Sequence, residues 1–163
     1  MLTTKQLQDI EALQKECEAF DNLQLKLNWE MLRRRDADQM DFFYYYEDEL
    51  VAFLGIYLFG SVAALCGIMK PSACEKGHFQ QLFSEAMNVC EKFGYKKILL
   101  NAPASSQAAK EFLNKQGATY AFTEHQMQWE EKQLAEVSGF TLRQADEKDI
   151  AMRVRLDVEA FGV

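Results

Sequence analysis

A strand, a short loop and a long helix follow one another in residues 62–93, and this order constrains the fold more than any other feature of the chain. An apolar run from Val62 ends at Pro71, and Gly77 closes a short polar loop. Phe79, Leu82, Phe83, Ala86, Met87, Cys90 and Phe93 then recur at spacings of three and four, which places all of them on one face of a helix. Gly94 supplies the stop signal. The first N–H groups of a helix have no partner inside it and lie at the positive end of its dipole. A loop that presents several of them together makes a seat for a phosphate; as a plain connection, the same loop would serve only to start a core-facing helix.

The residues of this loop carry a resemblance. Pro71 to Leu82 resembles the acyl-CoA loop of the GNAT superfamily of N-acetyltransferases, in which a strand ends in a proline and glycines precede a helix. Gly77 matches the first glycine, Cys74 falls where the family usually has Arg or Gln, and Phe79 replaces the second small residue. Downstream, the chain follows the family's order. Lys96 to Leu100 reads as a strand, Asn101 to Ser105 as a loop, Ser106 to Lys115 as a helix, and Gly117 as its end. The run AKEFLNKQGA is similar to the family's final helix, with Phe112 at its first aromatic position. Leu113 stands where many members place the tyrosine that protonates the CoA thiolate, and Ser106 where they often have Asn.

The resemblance implies an α/β (α+β) domain over residues 1–130, with a mixed, mainly antiparallel sheet flanked by helices. It implies transfer of an acetyl group from acetyl-CoA, as co-substrate and without a metal, to a primary amine of a small molecule or peptide. In that scheme the backbone of Cys74, Glu75, Lys76, Gly77, His78 and Phe79 would hold the pyrophosphate, with Lys76 adding charge. The third strand of the sheet would splay from its neighbour, and Gly67, Ile68 and Met69 would bind the pantetheine arm much as an added strand is bound. Asn101 and Ser106 would lie near the thioester, and Glu124 or a water would take the proton from the amine. Many members carry a glutamate on the third strand, whereas Ala63, Ala64, Leu65 and Cys66 offer no carboxylate. Together with Leu113, this keeps a second reading open: a degenerate, non-catalytic module that binds acyl-CoA or dimerises. A homodimer is compatible with either.

Composition narrows the classes further. The 163 residues are 48% hydrophobic with two prolines, the profile of one globular domain. A formal charge of −7 opposes nucleic-acid binding and suits a cationic amine. The one dense basic run, Arg33-Arg34-Arg35, precedes Asp36 and Asp38 and reads as a solvated helix end. No apolar stretch approaches the ~20 residues that span a bilayer, and the first residues lack the build of a secretion signal; a cytoplasmic protein is expected. Cys17, Cys66, Cys74 and Cys90 have no paired short spacing and read as reduced thiols. His78 and Cys74 find no third metal ligand nearby.

Along the chain, Thr3 and Gln6 have capping-box spacing, and Leu7, Ile10, Leu13, Cys17 and Phe20 continue as a helix. A second helix is expected over Leu25 to Arg35, and in GNAT proteins this pair flanks the acceptor site. Asp41 to Tyr46, Leu50 to Phe59 and Val62 to Lys70 form a meander, in which the aromatic run Phe42 to Tyr46 serves sheet packing rather than a stacking platform. Residues 131–138 are a polar connector. Residues 139–163 resemble the opening strand (Phe140 to Ala145) and helix of another GNAT unit, and this strand is expected to fold back over the open edge of the sheet.

Overall fold

The computed structural model of the chain describes residues 1–35, 39–74, 77–131 and 138–162. Two compact units are present, Met1–Ala121 and Phe122–Val163. Helix α1, Thr4–Asp21, starts in the expected capping box: Thr3 Oγ1 accepts from the Gln6 N–H at 3.1 Å, and Gln6 Oε1 accepts from the Thr3 N–H at 2.9 Å. Its Ile10, Leu13 and Cys17 are buried. The second helix is shorter than its periodicity predicts. Helix α2 spans only Trp29–Arg33, because Asn28 takes a left-handed conformation at φ 49° and the preceding chain is held from the side. Gln14 Nε2 donates to the Leu25 carbonyl at 3.1 Å, and the Leu25 N–H donates to Glu18 Oε1 at 2.8 Å.

Three strands follow as a meander, β1 Asp41–Tyr46, β2 Glu49–Phe59 and β3 Val62–Met69, and after helix α3, His78–Lys92, comes the short strand β4, Lys97–Leu100. The sheet order is β1-β2-β3-β4, with antiparallel pairs except for the parallel β3–β4 pair. Parallel neighbours need a crossover, and α3 provides it. Leu50 to Tyr57 of β2 are all buried, the mark of a strand covered on both faces. Phe53, Tyr57, Cys66 and Ile68 pack with Ile10, Leu13 and Leu32 on the α1 side; Ala52, Leu54, Ile56, Ala63 and Leu65 pack with Leu82, Phe83, Ala86 and Cys90 on the α3 side. Helix α4, Gln107–Lys115, closes the first unit, with its Phe112 ring edge-on to Phe83 at 5.3 Å.

The second unit contains helix α5, Ile150–Phe161, entered through a 3-10 turn over Glu147–Asp149. Residues 140–145 do not form the expected strand. Local bonds account for this: Arg143 grips Asp149 with two N–H groups at 2.7 and 2.6 Å, and Asp146 and Asp149 form a capping box. Among the described residues no helix is long and apolar enough to cross a membrane.

The basic run also differs from its reading as a solvated end. Arg34 pairs with Glu30 at the surface, but Arg35 is buried: Nε lies 3.2 Å from Asp41 Oδ2, the guanidinium sits 4.8 Å from the Tyr57 ring centre, and Nη1 donates to the Ile56 carbonyl. Burial pushes the Asp41 carboxyl up from 3.8 to about 6, against the opposing pull of Arg35. A raised carboxyl favours the fold when protonated, so its contribution is complete below the unfolded value and is lost as pH rises through the folded one. A difference of about two in pKa corresponds to roughly 3 kcal/mol. The stability of the wild type relative to Asp41→Asn should therefore fall by up to that amount between pH 4 and 7 in urea titrations; a pH-independent gap would contradict this origin.

Candidate functional site

Strand β3 is paired unequally on its two sides. Its ladder with β2 runs the whole length, from Phe59↔Val62 to Ala52↔Met69, whereas its ladder with β4 stops at Leu65↔Leu100. The last rung on the β4 side is the Asn101 N–H to the Leu65 carbonyl at 3.0 Å. Peptide groups of alternate residues face opposite sides of a strand. Leu65 bonds toward β4, and the Lys70 N–H bonds the Val51 carbonyl on the β2 side at 2.8 Å. Gly67 and Met69 therefore face the side on which β4 has ended, while Ile68 faces β2, opposite Phe53. Of the three residues expected along the pantetheine, Ile68 thus has its peptide groups in the sheet. The Met69 carbonyl accepts from the buried Cys17 thiol at 3.2 Å, a partner that helical spacing alone does not reveal. Burial pushes that thiol up to about 12, which keeps it a donor.

Just beyond β3, Pro71–Ala73 form one 3-10 turn, and the exposed Cys74 lies after it with Sγ 3.7 Å from the Lys70 carbonyl. Gly77 is the N-cap of α3. Its φ of 83° lies in the left-handed region that glycine adopts without strain, and among the described residues no side chain caps the helix. The first bond inside α3 is the Gln81 N–H to the Gly77 carbonyl at 3.2 Å, so the N–H groups of His78, Phe79 and Gln80 form the open end. No acidic residue stands in this first turn, and a Cβ on Gly77 would meet nothing within 4 Å among the described residues. Glu75 and Lys76 lie outside the described residues.

The two side chains that follow Gly77 face protein. The His78 ring stacks on Tyr44 of β1 with centres 4.0 Å apart. Phe79 lies against β3 so closely that a Cβ on Gly67 would meet its Cζ at 2.5 Å, and its ring stands nearly perpendicular to that of Phe112 with centres 5.1 Å apart. Phe79 can stand where a small residue is expected because Gly67 has no side chain beneath it.

Asn101 and Ser106 both occupy the loop after β4. Asn101 Nδ2 donates to Cys66 Sγ at 3.0 Å. Ser106 is the N-cap of α4, its Oγ accepting from the Ala109 N–H at 3.3 Å. Ala63, Ala64, Leu65 and Cys66 are buried, and Leu113 is half-buried on α4. Glu124 belongs to the second unit, in irregular chain. On the other side of the sheet, Trp29 Nε1 donates to Gln14 Oε1 at 2.7 Å and the Tyr57 hydroxyl to the Leu27 carbonyl, which fixes the α1–α2 connection against β2.

The sequence profile of the Acetyltransferase (GNAT) family matches residues 5–118, the span that holds all four strands, α2 to α4 and all of α1 but its first residue. The chain belongs to the GNAT acetyltransferase family. Among solved structures it is similar to the ribosomal-protein-S18-alanine N-acetyltransferase of Escherichia coli, at 19% identity and a TM-score of 0.56 over 71% of this chain and 73% of that one. It is similar also to the PaiA N-acetyltransferase of Thermoplasma acidophilum, solved with coenzyme A, at 15%, 0.57, 71% and 84%. A third is a predicted acetyltransferase of Clostridium acetobutylicum, solved with acetyl-CoA, at 10%, 0.59, 78% and 92%. At these identities the likeness establishes the fold. No curated protein matches the chain in sequence.

Within this GNAT fold, the contact between Gly67 and Phe79 binds the half-paired strand to the start of α3. Gly67→Ala forces the packed ring to move and should cost about 1–3 kcal/mol by overpacking. Phe79→Leu in the same chain should return part of that loss. An unchanged melting temperature for Gly67→Ala would contradict the packing.

Proposed function

We propose that the chain transfers an acetyl group from acetyl-CoA to a primary amine by direct attack. The observation that carries this reading is the juxtaposition of two sets of backbone groups, those of Gly67 and Met69 beside the end of β4 and the open N-terminus of α3 beyond Gly77. A pantetheine arm is peptide-like and can add to a half-paired strand, and a pyrophosphate suits a helix N-terminus. The relatives solved with coenzyme A and acetyl-CoA support the same choice of co-substrate.

In the reaction, the neutral amine attacks the thioester carbonyl carbon, the C–N bond forms, and collapse of the tetrahedral adduct breaks the C–S bond. The proton from the amine passes to water. The departing thiolate takes its proton from solvent, since Leu113 has none to give. General acid or base help is worth roughly 10²–10⁴-fold, while holding amine and thioester together supplies much of the barrier reduction without it. Acceptors are small-molecule or peptide amines, attracted by the negative charge of the chain.

A second reading, a module that binds acyl-CoA without turnover, is favoured by the apolar residues at Ala63 to Cys66 and at Leu113. Calorimetry with acetyl-CoA, followed by thiol release with an amine panel, separates the two. The proposal expects saturable binding and amine-dependent release of CoA; binding without release supports the module, and no binding contradicts both.

A further inference from the structure

Asn101 is tied to β3 twice. Its N–H makes the last rung to the Leu65 carbonyl, and its carboxamide donates to Cys66 Sγ one residue further on, each at 3.0 Å. Cys66 is buried at 2% exposure, and burial pushes its thiol up, so the sulfur stays a neutral acceptor around neutral pH. The next residue is Gly67, held from one face by the Phe79 ring and turned with its peptide groups toward the side that β4 leaves. A single rung fixes one point of the β4 end against β3. A second bond, one residue on, fixes the direction in which the two chains part.

We propose that the Asn101 carboxamide is a positioning residue for the acyl-pantetheine arm. By holding Cys66 it sets where the Gly67 peptide groups stand relative to the end of β4, and so where the thioester lies. It acts on the arm and not on the nucleotide end, which is seated at α3. The inference rests on the acyl-CoA reading of the site and adds to it a residue that works through another side chain.

The test compares two probes by calorimetry on the full chain: acetyl-CoA, and adenosine 3′,5′-bisphosphate, which has the nucleotide end without the arm. Loss of one side-chain hydrogen bond should weaken acetyl-CoA binding by roughly three- to tenfold in Asn101→Ala and in Cys66→Ala, with the nucleotide probe unchanged. The double variant should lose no more than either single one, because both remove the same bond. Cys66→Ser, which keeps an acceptor, should retain acetyl-CoA affinity and guards against a folding defect in the alanine variants. Equal losses for both probes, additive losses, or no loss at all would overturn the positioning role while leaving the acyl-CoA reading intact. A wild type that binds neither probe would overturn that reading and this inference with it.

Discussion

Strand β3 has two neighbours but is fully paired with only one of them, and the rest of the first unit is arranged around that inequality. Its ladder with β2 holds Val62 to Met69 straight, while its ladder with β4 ends after four pairs. Buried peptide groups are almost always paired, so a half-paired strand persists only where something else meets its free side. Cys17 meets the Met69 carbonyl from α1; beyond the last rung, the Asn101 carboxamide ties the Cys66 side chain, not a peptide group, to the end of β4. Gly67 lies between these two bonds with its peptide groups facing the same side as that of Met69.

The aromatic cluster on the α3 face stabilises the same place. Phe79, Phe83 and Phe112 meet edge to face, in the geometry that aromatic pairs prefer. They join the first two turns of α3 to α4 and press Phe79 onto Gly67. The opposite face is polar in one spot, where Arg35, Asp41 and Tyr57 sit together in the core. Removing Asp41 would leave the Arg35 charge buried without its partner, which is costly whatever the net worth of the pair.

Much of this was legible before any coordinates. The three-and-four spacing from Phe79 marked helix α3, although Phe93, counted on its buried face, is the exposed C-cap. The capping box at Thr3 and Gln6 marked the start of α1, and the runs Asp41 to Tyr46, Leu50 to Phe59 and Val62 to Lys70 marked the meander. Periodicity reports which face is buried, and it succeeds where burial decides the structure. It overextended the second helix, because Asn28 and the bonds from Gln14 and Glu18 depend on residues brought close by the fold. It assigned a strand at Phe140 to Ala145 because alternation cannot register the grip of Arg143 on Asp149. Of the site residues, Gly67 entered only through the resemblance, whereas Gly77, as the residue that starts α3, could be read from its neighbours in the chain. The bond from Asn101 to Cys66 could not, since it joins positions 35 apart through a thiol that reads as ordinary core.

The most direct test of the central claim is amide mapping by nuclear magnetic resonance on the labelled full chain during titration with coenzyme A. The account expects the largest shifts at the amides of Gly67, Met69, His78, Phe79 and Gln80, the groups beside the end of β4 and at the start of α3. Binding that leaves these amides unmoved and perturbs another part of the chain would contradict it.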